Sequence, residues 1–267
     1  MCGGTVTVTS RFSGILTRYL IASMPVSYVA QIILKAQTKQ SYVWSLIEEG
    51  RKRFPEQHPF MKLFYAGKLT LDQLRGWAIN RYYFHGHIPE KEAAIAANCP
   101  PDVRQLWIEK LVEEAGEKGK PSHPDLWLRF CKDLGLSKEK VMKADVLPAV
   151  RMAVDGYLNL ARYRPWRVGV AASLTEHLVP KRMEKMIDAF KKYYPFVTEQ
   201  GMIFFKEHMV ADVEHGELTI GLVEKYSHTQ GDQAEIREGY FYKIDMHRVI
   251  LDSVHLEYVL KNGLKPS

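Results

Sequence analysis

The chain of 267 residues has little cysteine and no cysteine pairing motif. Its three cysteines, Cys2, Cys99 and Cys131, form no CxxC pair, and their odd number argues against a complete disulfide framework. Disulfides are rare in reducing compartments, so this usage predicts a cytoplasmic location.

Acidic residues are missing from the first part of the chain, where none occurs before Glu48. Residues 1–50 are therefore predicted to form a basic extension, either a leader or an extra helix, and residues 51–267 to form one domain. The apolar stretch Tyr19–Leu34 is interrupted by Pro25 and is shorter than the roughly 20 residues that span a bilayer. No stable membrane insertion is expected.

Alternating, β-branched runs of the kind that strands need are also lacking. The chain is 46% hydrophobic and 25% charged, as expected for a globular protein. Its net charge of +6 is spread along the chain, with basic residues interleaved with acidic ones, so no nucleic-acid binding is predicted.

Helical periodicity with short breaks dominates from Phe54 onward, so the predicted class is all-α. Thr70 with Gln73 three residues later predicts a capping box at the start of one helix. Further helices include those predicted at Asp102–Glu114, Pro165–Leu178 and Thr198–Lys225. Helices joined by short loops pack as antiparallel neighbours, which predicts a multi-helix bundle with room for a central cavity.

Two histidines and an aspartate lie on one face of a predicted helix. His208, Asp212 and His215 are spaced i, i+4 and i+7, so their side chains lie within about 60° of one another. Imidazole and carboxylate together suit divalent metals such as iron or manganese. The alternative is a solvated polar face that happens to contain two histidines.

Other candidate ligands come from two further segments. Glu176 stands in a small and apolar run, where a carboxylate is costly unless it is paired or metal-bound. Glu113, with Glu114 as the alternative, ends one helix, and His123 follows after a loop. Helical bundles build carboxylate-bridged metal pairs from such inward-facing side chains, so the convergence of these segments predicts a two-metal site.

Several runs resemble the heme-oxygenase-like superfamily and, within it, the pyrroloquinoline-quinone synthase relatives. They are Arg75-Gly-Trp-Ala-Ile-Asn-Arg-Tyr-Tyr83, Ile88-Pro-Glu-Lys-Glu-Ala-Ala-Ile95, Val146-Leu-Pro-Ala-Val-Arg-Met-Ala-Val-Asp155, Ser173-Leu-Thr-Glu176 and Asp212-Val-Glu-His-Gly216. The resemblance implies a heme-oxygenase-like bundle, a homodimer and a small-molecule substrate.

The metal-ligand pattern is similar to that of the heme-oxygenase-like diiron oxidases, which include the 4-aminobenzoate synthase type. This resemblance implies two Fe(II) ions, or a manganese–iron pair, with O₂ as co-substrate. The implied ligands are Glu113, His123, Glu176, His208, Asp212 and His215. The metal-free quinone synthases differ, because they have a catalytic His where this chain has Glu114 and a Gln where it has His208.

Arg81, Lys91 and Lys243 match polar pocket positions of the quinone-synthase family, which implies that they bind an anionic substrate. Salt bridges to Glu92, Asp155 or Asp245 are the alternative. Tyr83 is the fourth predicted catalytic residue, and Tyr82 and Tyr157 are the alternatives for a tyrosine close to the metals. The second function considered is a metal-free oxidase of the quinone-synthase type with His85 and His87 as proton shuttles, and the third is a non-enzymatic interaction module.

Overall fold

The computed structural model describes residues 42–261. All of these except Tyr42 belong to one compact unit. Most of the predicted basic extension lies outside the described residues, so its role and the domain division stay predictions. Within the described part, no helix is both long enough and apolar enough to cross a membrane.

The described residues form a bundle of α-helices, which confirms the predicted all-α class. They contain no β-strand, only one isolated antiparallel bridge between Glu117 and Lys120. Short 3₁₀ segments cover Pro55–Gln57 and Ser173–Leu178, and a π turn covers His255–Leu260. The helices are α1 (42–53), α2 (Pro59–Tyr65), α3 (Leu71–Gly86), α4 (Ile88–Asn98), α5 (Pro101–Ala115), α6 (His123–Asp133), α7 (Lys138–Met142), α8 (Pro148–Tyr163), α9 (Trp166–Ala172), α10 (Val179–Tyr193), α11 (Ile203–Tyr226) and α12 (Gln230–Val254).

Local sequence explains where the helices begin. The predicted capping box at α3 is present: Gln73 N donates to Thr70 Oγ1 at 3.3 Å, and Thr70 N donates to Gln73 Oε1 at 2.9 Å. Six helices have a proline in their first two positions, where its missing N–H costs nothing: α2, α4, α5, α6, α8 and α10.

Two glycines determine the backbone path around the central cavity of the bundle. Gly116 ends α5 at a φ of 80°, and a Cβ there would lie 2.7 Å from the backbone nitrogen of Ser122, so the loop folds back tightly before His123. Gly216 on α11 would place a Cβ 3.1 Å from the Cα of His177. The absence of a side chain therefore lets α11 pack directly on the 3₁₀ segment Ser173–Leu178.

The main apolar core occupies the side of the bundle formed by α2, α3, α6, α10 and α11. Aromatic rings dominate it, and its largest buried members are Phe60, Phe64, Trp127, Phe130, Phe190 and Phe205. A second cluster around Val150, Val154 and Ile250 joins α8 to α12. Residues of both clusters also form the apolar walls of a central cavity, which carries the predicted site.

Candidate active site

A cavity of about 70 Å³ lies in the middle of the bundle, which is room for a few water molecules. Its walls combine apolar rings with an unusual number of charged and polar side chains. The polar lining consists of Arg81, His85, Lys91, Glu92, Glu114, His123, Thr175, Glu176, Arg182, His208, Asp212, Lys243 and His247.

One group of potential metal ligands, here called the first triplet, is Glu114, His123 and His208. One ligand atom from each lies within 4.8 Å of the other two. Nδ1 of His123 is 2.6 Å from Oε2 of Glu114. Nδ1 of His208 is 2.9 Å from the carbonyl oxygen of Phe204. Because a carbonyl only accepts, Nδ1 of His208 carries the proton and its Nε2 keeps a lone pair for a cation.

A second triplet of potential ligands is Glu176, Asp212 and His215, whose ligand atoms also lie within 4.8 Å of one another. The close approach of α11 at Gly216 brings Asp212 and His215 to Glu176. Oδ2 of Asp212 is buried without a hydrogen-bond partner. Nε2 of His215, by contrast, is hydrogen-bonded to Oε2 of Glu113 at 2.9 Å.

Both oxygens of Glu176 are already paired with lysines. Oε2 accepts from Nζ of Lys110 in a short contact, and Oε1 lies 3.4 Å from Nζ of Lys243. Lys243 was predicted to bind substrate, whereas Lys110 was not predicted at all. The sequence feature that could have identified Lys110 is its position on the inward face of α5, three residues after the buried Trp107.

The structure reverses the predicted order of Glu113 and Glu114. The Glu114 side chain is 9% exposed and belongs to the first triplet, whereas the Glu113 side chain is 45% exposed and reaches only His215. Successive residues on a helix point about 100° apart, so the last turn of α5 cannot direct both carboxylates into the cavity.

Charge pairing shifts the pKa values of these groups. Burial raises the pKa of Glu114, but the neighbouring His123 outweighs it and lowers the value to about 2. Burial opposes charge on His123, yet Glu114 raises its pKa. For Glu176, Lys110 and Lys243 overcome burial and hold the pKa well below the ordinary value. Burial opposes charge on His215, but its contacts with Asp212 and Glu113 outweigh burial and raise its pKa to about 10.

The two triplets differ in how well they fit a metal ion. The first offers two imidazoles and a carboxylate, a donor set suited to a divalent transition metal, and binding requires only loss of a proton from His123. In the second, both oxygens of Glu176 are paired with lysines and Nε2 of His215 contacts Glu113, whereas Oδ2 of Asp212 has no hydrogen-bond partner. A cation there would have to displace an existing ion pair.

Arg81 determines the tautomers of two neighbouring histidines. Its Nε donates to Nε2 of His85 at 3.2 Å, and its Nη1 lies 2.8 Å from Nδ1 of His247. Arginine has only donors, so both imidazole nitrogens must accept and both rings are neutral. Burial, followed by the charge of Arg81, lowers the pKa of each histidine well below its ordinary value.

The predicted catalytic residues fall into two groups. Arg81, Lys91 and Lys243 line the cavity, although Lys91 also forms the expected salt bridge with Glu92. Tyr83 is not part of the lining, and its hydroxyl donates to Asp155 at 2.7 Å. His87 likewise lies outside the lining, whereas His85 belongs to it.

Arg182, Glu92 and His247 also line the cavity and were not predicted as site residues. Arg182 is 5% exposed, and its Nε has no hydrogen-bond partner. A basic residue on the inward stripe of the strongly amphipathic α10 was the only sequence signal for it.

Solved structures with the same architecture define the class of fold. A domain of unknown function with a heme oxygenase-like fold from Shewanella denitrificans aligns over 90% of this chain and 96% of its own, with a TM-score of 0.69 at 19% identity. A CADD-like protein of unknown function from Nostoc punctiforme aligns over 86% and 100%, with a TM-score of 0.67 at 14% identity. The protein therefore has the predicted heme-oxygenase-like fold.

Sequence comparison then identifies the family. The model of the TENA/THI-4/PQQC family matches residues 45–238, so the chain belongs to that family. It is similar to the pyrroloquinoline-quinone synthase of Acinetobacter baumannii (strain AYE), with 37% identity over 84% of this chain and 90% of the relative. The pyrroloquinoline-quinone synthase of Pseudomonas aeruginosa (strain LESB58) is 32% identical over 85% and 91%.

These relationships confirm the predicted resemblance to the quinone-synthase relatives. They also confirm the prediction that the chain is an enzyme, an oxidoreductase that uses O₂.

Proposed function

We propose that the protein is an O₂-dependent oxidase that acts on a small anionic substrate in the central cavity, in the biosynthesis of a cofactor or related metabolite. The observation that carries this proposal is a pair of cations without a counter-charge. Within residues 42–261, neither Arg81 nor Arg182 forms an ion pair with a carboxylate, although both line the cavity. A charge held in a protein interior needs a partner, and an anionic substrate supplies one.

The residues around Arg81 suit the binding of a carboxylate. Its guanidinium is fixed by two imidazoles and by Phe84, over whose ring it lies at 4.5 Å. The neutral tautomers leave an N–H group on Nδ1 of His85 and on Nε2 of His247 as donors to substrate oxygens. The cavity thus combines charge, hydrogen-bond donors and apolar walls that exclude water.

The quinone-synthase relatives narrow the substrate class. We infer a carboxylated, electron-rich ring compound, because oxidation by O₂ removes electrons from such rings and the two arginines match carboxylate groups. This is the metal-free reading of the site, and similarity to pyrroloquinoline-quinone synthases favours it.

A metal-assisted oxidase is the second candidate, and the first triplet favours it. Glu114, His123 and His208 would hold the ion, which would supply the one-electron chemistry that O₂ activation needs. The chain's own residues would fix the open coordination positions, and Arg81 with Arg182 would hold the substrate in either reading.

Binding of pyrroloquinoline quinone, a stable carboxylated ring compound, tests the anionic pocket. We expect Arg81→Gln and Arg182→Gln each to weaken binding by at least about tenfold, since a hydrogen bond to a charged group contributes about 1.5–3 kcal/mol. Arg151→Gln is the matched control, because Arg151 is half-exposed and pairs with Asp145. Equal affinities in all four proteins would refute an anionic pocket.

O₂ consumption after anaerobic addition of Fe(II) separates the two oxidase readings. Iron binding with O₂ uptake that His208→Ala abolishes would establish the metal-assisted enzyme. No bound iron, and no difference between the two proteins, would overturn it and leave the metal-free oxidase.

The proposal includes the predicted homodimer and cytoplasmic location. Free cysteines support a reducing environment, because Cys99 and Cys131 form no disulfide. Sedimentation equilibrium of the full chain tests the dimer, and a monomer mass would contradict it.

A further inference from the structure

Lysine ammonium groups already occupy the side of the cavity where a second metal ion would bind. Lys110 is 2% exposed and Lys243 is 5% exposed, and their Nζ atoms hold the two oxygens of Glu176. Lys110 also interacts electrostatically with Glu114, so it lies within reach of both triplets.

The remaining ligands of the second triplet reinforce this arrangement. His215 uses Nε2 to contact Glu113, its Nδ1 lies 3.9 Å from Oδ1 of Asp212, and Oδ2 of Asp212 is buried without a partner. A second divalent ion would have to break the Glu176 ion pairs and expel at least one ammonium group into a confined space. Removing one partner of a buried pair is strongly destabilising, because it leaves an uncompensated buried charge.

The charge balance of the cavity points the same way. Three carboxylates, those of Glu114, Glu176 and Asp212, face the two ammonium groups of Lys110 and Lys243. The net charge of these five groups is −1, so one divalent ion changes it to +1 and two ions change it to +3. Two ions would leave a large positive excess beside the uncompensated Arg81 and Arg182, which is costly in a low-dielectric site.

We propose that this site holds a single divalent cation, bound by Glu114, His123 and His208, and that Lys110 excludes a second ion from the triplet of Glu176, Asp212 and His215. This inference rests on the metal-assisted form of the proposed function. It differs from the two-ion site that the resemblance to diiron oxidases implies, and it assigns the difference to one side chain.

Metal stoichiometry tests the inference without any measurement of turnover. The full-length protein is titrated anaerobically with Mn²⁺ by calorimetry, and the loaded forms are compared by electron paramagnetic resonance. We expect one ion per chain in the wild type, with the six-line spectrum of an isolated Mn²⁺. We expect two ions in Lys110→Met, with the broadened spectrum of a coupled pair.

Lys91→Met is the matched control, because it removes another buried ammonium whose partner is Glu92 rather than a triplet residue. It should still bind one ion, and two ions there would show that overall charge rather than the position of Lys110 decides. Lys110→Gln provides a neutral polar replacement in case Lys110→Met does not fold, as judged by circular dichroism.

The outcomes separate this inference from the proposed function. Two ions in the wild type, or one ion in both folded Lys110 variants, would overturn the inference alone. No ion in the wild type would overturn both the inference and the metal-assisted reading. One ion in the wild type and two in the Lys110 variants would establish the role of Lys110.

Discussion

The first and second ligand triplets contain the same kinds of side chain but are neutralised in different ways. In the first, Glu114 is paired with His123, an imidazole that can lose its proton when a metal binds. In the second, Glu176 is paired with two lysines: burial opposes charge on Lys110 but Glu176 raises its pKa, whereas burial lowers the pKa of Lys243. The comparison shows that a ligand pattern defines a metal site only when the neighbouring cations are also known.

The largest expected effect concerns stability. Glu176→Ala leaves Lys110 and Lys243 buried without a counter-charge, and we expect a loss of about 3–5 kcal/mol in the free energy of unfolding. Glu114→Ala is the matched control, since it is the same substitution at a carboxylate with the same 7% exposure. Glu114→Ala should lower the free energy of unfolding by less, because His123 can lose its proton and leave no buried charge. Denaturant unfolding measures both, and equal losses would remove the distinction between the triplets.

Metal affinity should separate the triplets next. We expect His208→Ala to weaken Mn²⁺ binding by at least about 100-fold, because loss of a direct ligand should exceed the 10–100-fold effect of an outer partner. His215→Ala should weaken Mn²⁺ binding by only about tenfold, the lower end of the effect of an outer partner. Titration calorimetry under anaerobic conditions measures both variants. A larger loss in His215→Ala than in His208→Ala would show that the second triplet holds the ion.

A backbone substitution tests how α11 positions the second triplet. Gly216→Ala places a methyl group 3.1 Å from the Cα of His177, so we expect a loss of about 1–3 kcal/mol from overpacking. Gly221→Ala on the same helix has nothing within 4 Å and should be stabilising by up to about 1 kcal/mol. Thermal unfolding of the two variants is the measurement, and a neutral Gly216→Ala would contradict the close approach.

The smallest expected effect is a pH dependence outside both triplets. Burial, followed by the charge of Arg81, holds the pKa of His247 well below its ordinary value, so the native state keeps it neutral. The unfolded state then binds more protons below about pH 6.5, and stability falls as the pH falls from there. His247→Gln should reduce the dependence of the unfolding free energy on pH, by at most about 1.4 kcal/mol per pH unit. Unfolding free energies at pH 7 and pH 5 test it, and an unchanged slope would contradict the assignment.

The sequence predicted the helices because they depend on local periodicity, whereas Arg81, Lys91 and Lys243 were inferred from the family resemblance. The capping box of Thr70 and Gln73 and the shared face of His208, Asp212 and His215 need only the geometry of one helix. Glu176 was placed on a continuous helix but lies in the 3₁₀ segment Ser173–Leu178. This segment packs against α11 at Gly216, a contact that no local pattern encodes.

Residues whose role depends on distant partners were harder to predict. Lys110 belongs to the site because it meets Glu176, which is 66 positions away in sequence. The choice between Glu113 and Glu114 depends on the rotation of α5, and its periodicity alone does not fix the last turn. Tyr83 shares α3 with Arg81, but it faces Asp155 on α8 rather than the cavity.

The size of the central cavity has a consequence for how ligands bind. A volume of about 70 Å³ admits O₂ and water, whereas sites for small organic ligands usually measure about 300 Å³ or more. A ring-containing substrate therefore needs more room than this cavity offers, so the walls must separate before it fits. Its observed affinity is then reduced by the fraction of molecules that are open, so variants that loosen the walls should bind faster and more tightly.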